Sequence, residues 1–122
     1  MHPDEITREI LASAFEVANT LGCGFLEKVY ERALLQELQD RGLDVKGQEG
    51  LTVAYKGRVV GEYLADLIVE EQVIVELKCV AGFAPEHMAQ CLNYLKASNL
   101  KVALLLNFRH TKLEWKRIVN NF

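Results

Sequence analysis

Two carboxylates and one amine stand out in this 122-residue chain: Asp66, Glu76 after nine intervening residues, and Lys78 two positions further on. A pair of acids beside a lysine can grip a hard cation and steady developing negative charge, which is what phosphodiester hydrolysis requires. Strand periodicity decides whether they can act together. Residues 63–69 read as one strand and 72–78 as the next, with Glu70 and Glu71 turning between them. Side chains alternate across a strand, so Glu76 and Lys78 point the same way, about 7 Å apart. Asp66 joins that face if the hairpin register is even, for example through a three-residue turn at Glu70 to Gln72 that sets it opposite Glu76. The rival explanation is a surface network of charges on a solvated hairpin. Against it, Val73, Ile74, Val75 and Leu77 make the second strand apolar on both faces, and charged groups at the end of a covered strand need a reason.

With 50% of its residues apolar, the chain has enough material for one domain, 1–122, around a genuine core. The N-terminus is charged and polar through Arg8 and Glu9, unlike a signal peptide, and no apolar run approaches the length of a membrane span. Cys23, Cys79 and Cys91 form no CxxC pair and leave one over in any disulfide scheme. A reducing, cytoplasmic setting is therefore expected, with the thiols as small core residues. The net charge of −3 is unevenly spread: residues 1–78 carry 8 Lys+Arg against 15 Asp+Glu, whereas residues 79–122 carry 6 against 2. The basic part holds Lys96, Lys101, Arg109, Lys112, Lys116 and Arg117, with His110 nearby. It is either a phosphate-facing edge or ordinary solvated surface.

The elements that must position the cluster follow from the apolar pattern. Pro3, Asp4 and Glu5 start a helix whose inner stripe is expected at Ile10, Leu11, Ala14, Phe15, Ala18 and Leu21. Gly22 and Gly24 end it; no strand precedes them, so they mark a helix-to-helix turn and not a dinucleotide fingerprint. A second helix is expected over 25–41, with Leu26, Val29, Ala33, Leu34 and Leu38 buried. The period then drops to two: Leu51, Val53 and Tyr55 alternate, Lys56 and Gly57 turn the chain, and 58–69 returns as a long strand that Gly61 bends or bulges. The strand bearing Glu76 follows. Pro85 opens a third helix to about Ser98, and 101–108 is a strongly apolar strand. Residues 113–119 are either a short final strand or a frayed tail. The order α-α-β-β-β-α-β implies a mixed central sheet flanked by helices, the crossover helix setting the fourth strand parallel to the third through a right-handed connection.

On this strand order, Asp66, Glu76 and Lys78 resemble the PD-(D/E)xK nuclease superfamily, and Gly24-Phe-Leu-Glu27-Lys-Val-Tyr30 is similar to the motif that names its GxxExxY family. The resemblance runs roughly from Ile6 to Val119 and takes in Val75-Glu-Leu-Lys78, Ala89-Gln-Cys-Leu-Asn-Tyr-Leu95 and Leu105-Leu-Asn-Phe108. It implies a restriction-endonuclease-like core with a divalent-metal site, in which Asp66 and Glu76 match the metal-binding acids and Lys78 the catalytic lysine. Glu27 falls in the first-helix region where some of these nucleases add a carboxylate, and Gln90 and Tyr94 match a Gln-xxx-Tyr pattern of repair-type exonucleases. Two positions depart from the pattern: Ala65 replaces a proline, and Ala18 stands where many GxxExxY proteins carry His.

Carboxylate oxygens suit Mg²⁺ or Mn²⁺, and Mg²⁺ keeps waters, one of which can attack phosphorus. Asp66 and Glu76 are the expected ligands, with the backbone carbonyl of Leu77 a third and Glu27 a candidate for a second ion or a ligated water. Lys78 orients the water or offsets negative charge. Glu27 with Tyr30, and Gln90 with Tyr94, each share a helix face. They either serve the site or, for the tyrosines, form core rings with wet hydroxyls, and for Glu27, a favourable acid in a helix's first turn. His87 falls on the Gln90 side, as cleft edge or plain surface. Trp115 stacks on a base, caps a core or meets a second copy. Arg58 and Glu62 are expected in solvent, and Cys79 is expected buried on the face away from Lys78, not as a nucleophile. The function expected is a Mg²⁺-dependent nuclease acting on DNA or RNA, as a monomer or a homodimer. The alternatives are a catalytically silent nucleic-acid- or partner-binding module on the same scaffold, and a plain interaction protein.

Overall fold

Pro3 fixes the first turn of helix α1 (Pro3–Leu21), and His2 closes it: its Nδ1 accepts the Asp4 N–H at 3.1 Å while Glu5 accepts the His2 N–H at 3.4 Å. The computed structural model describes residues 1–120 and leaves Asn121 and Phe122 outside. Helix α1 ends at Gly22, whose φ of 71° suits glycine. Its buried stripe is Ile6, Ile10, Ala14 and Val17, with Leu11, Ala18 and Leu21 packed at its margin; Phe15, expected inside, is exposed. Helix α2 (Glu27–Asp40) buries Tyr30, Leu34 and Leu38. Leu26 and Val29 were expected on that stripe and are exposed. Leu26 lies before the first turn, so a helical phase counted from it is out of step, and Tyr30 takes the inward place.

Five strands form one sheet in the order β1-β2-β3-β4-β5: β1 (Val45–Tyr55), β2 (Arg58–Val69), β3 (Val73–Lys78), β4 (Val102–Asn107) and β5 (Glu114–Val119). Helix α3 (Pro85–Ser98) crosses between β3 and β4, which run parallel; all other neighbours are antiparallel. The tail is thus a strand. Strand β1 starts well before Leu51, because Gly47 and Gly50 hide its first half from any pattern of strand-forming side chains. Near Gly61 the β1–β2 register shifts, leaving Val60 as the extra residue of a bulge. Helices α1 and α2 cover one face, packing Ile10, Tyr30 and Leu34 on Leu67, Val75 and Leu104; α3 covers the other with Cys91, Tyr94 and Leu95 on Ala65, Ile74 and Leu105. Every residue of β4, and all of β3 before Lys78, is buried, as expected of a strand pair covered on both sides. Among the described residues no helix is long and apolar enough to cross a membrane.

The β1–β2 ribbon turns over in mid-length. Leu67 and Val69 face α1 and α2, yet Ala65, two residues before Leu67, lies in the α3 core, where an unbroken strand would keep both on one side. On β1, Val45 lies on the α1/α2 side and Leu51 on the α3 side. Gly47 pairs with Leu67 and Glu49 with Ala65, so Gln48, at φ 50°, stands opposite Asp66 at the point of inversion.

Candidate active site

The β2–β3 hairpin turns through Glu70, Glu71 and Gln72, with φ of 53° and 56° at the two acids and Val69 O accepting the Gln72 N–H at 3.0 Å. Its ladder pairs Val69 with Val73, Ile68 with Ile74 and Leu67 with Val75, then stops. One step further Asp66 stands opposite Glu76, so the register is the even one on which the convergence of the three groups depended. The carboxylates take over from the missing backbone bonds. Glu76 Oε1 accepts the Asp66 N–H at 3.2 Å, and Asp66 Oδ2 accepts the Leu77 N–H at 2.9 Å. On the other side of β3, Lys78 O accepts the Phe108 N–H at 2.9 Å. By the alternation of a parallel ladder, this turns the Leu77 carbonyl toward β2 and the two acids.

Glu76 is 3% exposed, and burial, followed by the charge of Asp66 and a carboxyl-to-carboxyl hydrogen bond with it, pushes its pKa up to about 9; the Asp66 N–H it accepts and then the Lys78 ammonium pull the other way. Without a cation, Glu76 therefore favours its protonated form at neutral pH. Lys78, half-buried, donates from Nζ to Gln90 Oε1 at 3.2 Å, and Gln90 Nε2 donates to the Tyr94 hydroxyl at 3.1 Å. A line of polar groups thus leads from the end of β3 up one face of α3. Tyr94 is buried, and its pKa is raised by that burial and then by Glu76 and Asp66.

Glu27, the first residue of α2, is exposed as a whole but turns its carboxyl to the same place. Its pKa is raised by burial and then by Asp66, and lowered by Lys78 and a hydrogen bond from the Cys79 N–H. Tyr30 does not reach the site. Its hydroxyl donates to Gly22 O at 2.6 Å and accepts the Phe25 N–H at 3.2 Å, while its ring stacks on Phe108 at 4.8 Å. The spacing of Gly24, Glu27 and Tyr30 then has a local cause: Gly24 (φ 110°) makes the turn, Tyr30 straps it down, and Glu27 between them is aimed at Asp66. Tyr30→Phe removes both straps while keeping the ring, and a loss of about 1–2 kcal/mol in urea unfolding is expected.

Two further residues serve the site and carried no signal of their own. Glu31, one turn beyond Glu27, is buried and holds Gln48 Nε2 through both oxygens at 3.0 Å and Lys28 at 3.0 Å, so it anchors the ribbon where it inverts. Asn107, fully buried at the end of β4, accepts the N–H groups of Val80 and Arg109 and donates to Val80 O and Glu114, tying down the chain that leaves Lys78.

Other candidates fall elsewhere. His87 accepts the Ala84 N–H at 2.9 Å and caps α3. Cys79 lies on the α1/α2 side, as alternation required, but only half-buried; exposed Arg109 is close enough to act on it electrostatically. Cys91 is a core thiol, its pKa pushed up to about 12 by burial first. Cys23 is exposed, so the expectation of three core thiols fails. Trp115 is exposed on β5, Arg58 and Glu62 are solvated, and Arg117 of the basic segment is engaged by Asp4 at 2.9 Å.

The donors that converge are oxygens: two carboxylates with a main-chain carbonyl turned toward them, and Glu27 at the mouth. They fit a hard divalent cation that keeps several waters, and not a cage made wholly of protein. Among the described residues no three His, Cys, Asp or Glu side chains are grouped closely enough to hold a metal by themselves.

A mixed five-stranded sheet with two acids and a lysine at the fork of its central strands defines a nuclease-like domain. The chain belongs to the PD-(D/E)XK nuclease superfamily, whose sequence model matches residues 4–118. No curated protein matches it. Among solved structures it is similar to SSO0001, at 15% identity and a TM-score of 0.62 over 78% of this chain and 50% of that one, so it spans half the length of that protein. It is also similar to the alkaline exonuclease LHK-Exo of Laribacter hongkongensis, at 11% identity and a TM-score of 0.52 over 98% of this chain and 83% of that one. The LHK-Exo complex with dAMP gives 13% and 0.51 over 94% and 83%. At these identities the structural likeness establishes the fold. Nucleases of the superfamily typically use divalent metals.

Proposed function

We propose that this domain hydrolyses phosphodiester bonds in DNA or RNA with Mg²⁺ or Mn²⁺. The observation that carries the proposal is the meeting of half-buried Asp66 and buried Glu76, each accepting a main-chain N–H of the facing strand, at the end of the strand that bears Lys78. Asp66, Glu76 and the Leu77 carbonyl would hold the ion, with Glu27 at the mouth. When bound, it supplies a Lewis acid for the phosphoryl oxygens and lowers the pKa of the attacking water. Glu76 would serve as a ligand in its ionised form, with its proton released to solvent. Lys78, aimed by Gln90, offsets negative charge on the phosphate as the bond order changes, and Tyr94 acts through Gln90 by fixing its amide. We assign the chain to the GxxExxY family on Gly24, Glu27 and Tyr30. Its three free cysteines, one of them exposed, favour the cytoplasm. The exposed Tyr55, Val59, Val60 and Leu64 of the β1–β2 arm favour pairing of two copies, which light scattering decides.

A silent binding module is the second reading, favoured by a donor set of only two close carboxylates. The deciding experiment is a cleavage panel of single-stranded, double-stranded and branched substrates in Mn²⁺, run beside Lys78→Ala. Turnover that vanishes in the variant supports the enzyme; no turnover on any substrate, with metal binding intact, leaves the binding module.

A further inference from the structure

An open groove of about 830 Å³ runs between α3 and the β1–β2 arm, and two of the residues lining it, Gln90 and Tyr94, are also the ones that support Lys78. The groove is therefore continuous with the candidate site. Its charged lining consists of Glu86 and Lys96, which cancel. Its aromatic lining is half-exposed Tyr63 and buried Tyr94, whose rings lie 5.8 Å apart, so Tyr94 backs the exposed ring. Thr52 and Asn93 add a hydroxyl and an amide able to meet the edges of bases.

A duplex hides its bases and presents rows of phosphates, which proteins follow with rows of cations. This groove has no such row. An unpaired strand presents π-faces, and a half-exposed tyrosine over a rigid support is what these stack on. From Gln90 to Ala97 helix α3 rises about 10 Å, room for about three stacked bases. The geometry points to a single-stranded stretch of nucleic acid as the ligand of this groove, with Tyr63 as the stacking platform next to the phosphate presented to Lys78. This rests on the nuclease reading for what happens at Lys78, but binding in the groove is measurable without any cleavage.

The test is fluorescence anisotropy of a labelled 12-mer single strand and a hairpin duplex of the same sequence, in chelator so that binding is read apart from turnover. Wild type should prefer the single strand. Tyr63→Ala should weaken single-strand binding roughly tenfold, Tyr63→Phe should stay close to wild type, and Ala89→Trp, which fills the groove from an exposed helix position, should abolish the preference. An abasic residue in the strand should erase the difference between wild type and Tyr63→Ala. Equal affinity for both ligands in wild type, or single-strand binding unchanged in both Tyr63→Ala and Ala89→Trp, overturns the groove assignment even if Mn²⁺-dependent cleavage is robust. Selective binding that obeys Tyr63, with no cleavage of any substrate, upholds the groove and removes the enzyme.

Discussion

In metal-free buffer at about pH 8, Glu76→Gln should make the protein more stable while removing any cleavage activity. The two effects share one cause. Burial and Asp66 hold the Glu76 pKa near 9, far above its ordinary 4.5, so between those values the folded state binds a proton that the unfolded chain has released. Stability therefore declines as pH rises through that window, by up to about 3 kcal/mol at pH 7 relative to acid. Glutamine keeps the oxygen that accepts the Asp66 N–H and replaces the carboxyl proton with an amide donor, so its stability curve should be flat there. Thermal unfolding in chelator from about pH 5 to pH 9 distinguishes the two. Added Mn²⁺ should stabilise the wild type and not the variant, because only a carboxylate rewards the ion for displacing the proton. A variant less stable than wild type at every pH would mean that Glu76 is held by its contacts and not strained by its charge.

The second large effect is expected at Lys78. Lys78→Ala should lower turnover by about 10²–10³-fold, the usual cost of removing one preorganised electrostatic partner of a transition state. Mn²⁺ affinity, read by calorimetry, should hold or improve, since a neighbouring positive charge has gone. That pattern separates a residue acting on the substrate from one that builds the metal site, where Asp66→Asn should lose affinity and turnover together. Gln90→Ala should fall between, because it frees the ammonium without removing it.

Much of this was written in the chain itself. The apolar run from Val73 to Leu77 announces a covered strand and places Glu76 and Lys78 on one side of it, whereas the register that brings Asp66 to them stood open in the sequence until the turn proved to hold three residues, Glu70 to Gln72. The bulge beside Gly61 and the limits of α3 were legible for similar local reasons. What escaped depends on tertiary partners. The first half of β1 carries Gly47 and Gly50 and is held by pairing with β2, not by propensity. Leu26 and Val29 are apolar at helical spacing and still exposed, because the inward face of α2 is set by Tyr30 binding back to Gly22. Glu31 looks like any solvated acid until Gln48, 17 positions later, folds onto it.

The half-twist at Gln48 and Asp66 has a mechanical consequence. Below that point the hairpin is clamped under α1 and α2; above it the same two strands lean on α3 alone, like a lever fixed at one end. Asp66 sits at the twist itself, and Tyr63 lies on the limb that packs against α3. The limb lines the channel beside α3 while the cation ligands lie at the twist, so the two sets of residues are held by different contacts. Substitutions toward the tip should move KM, and those at the hinge should move kcat.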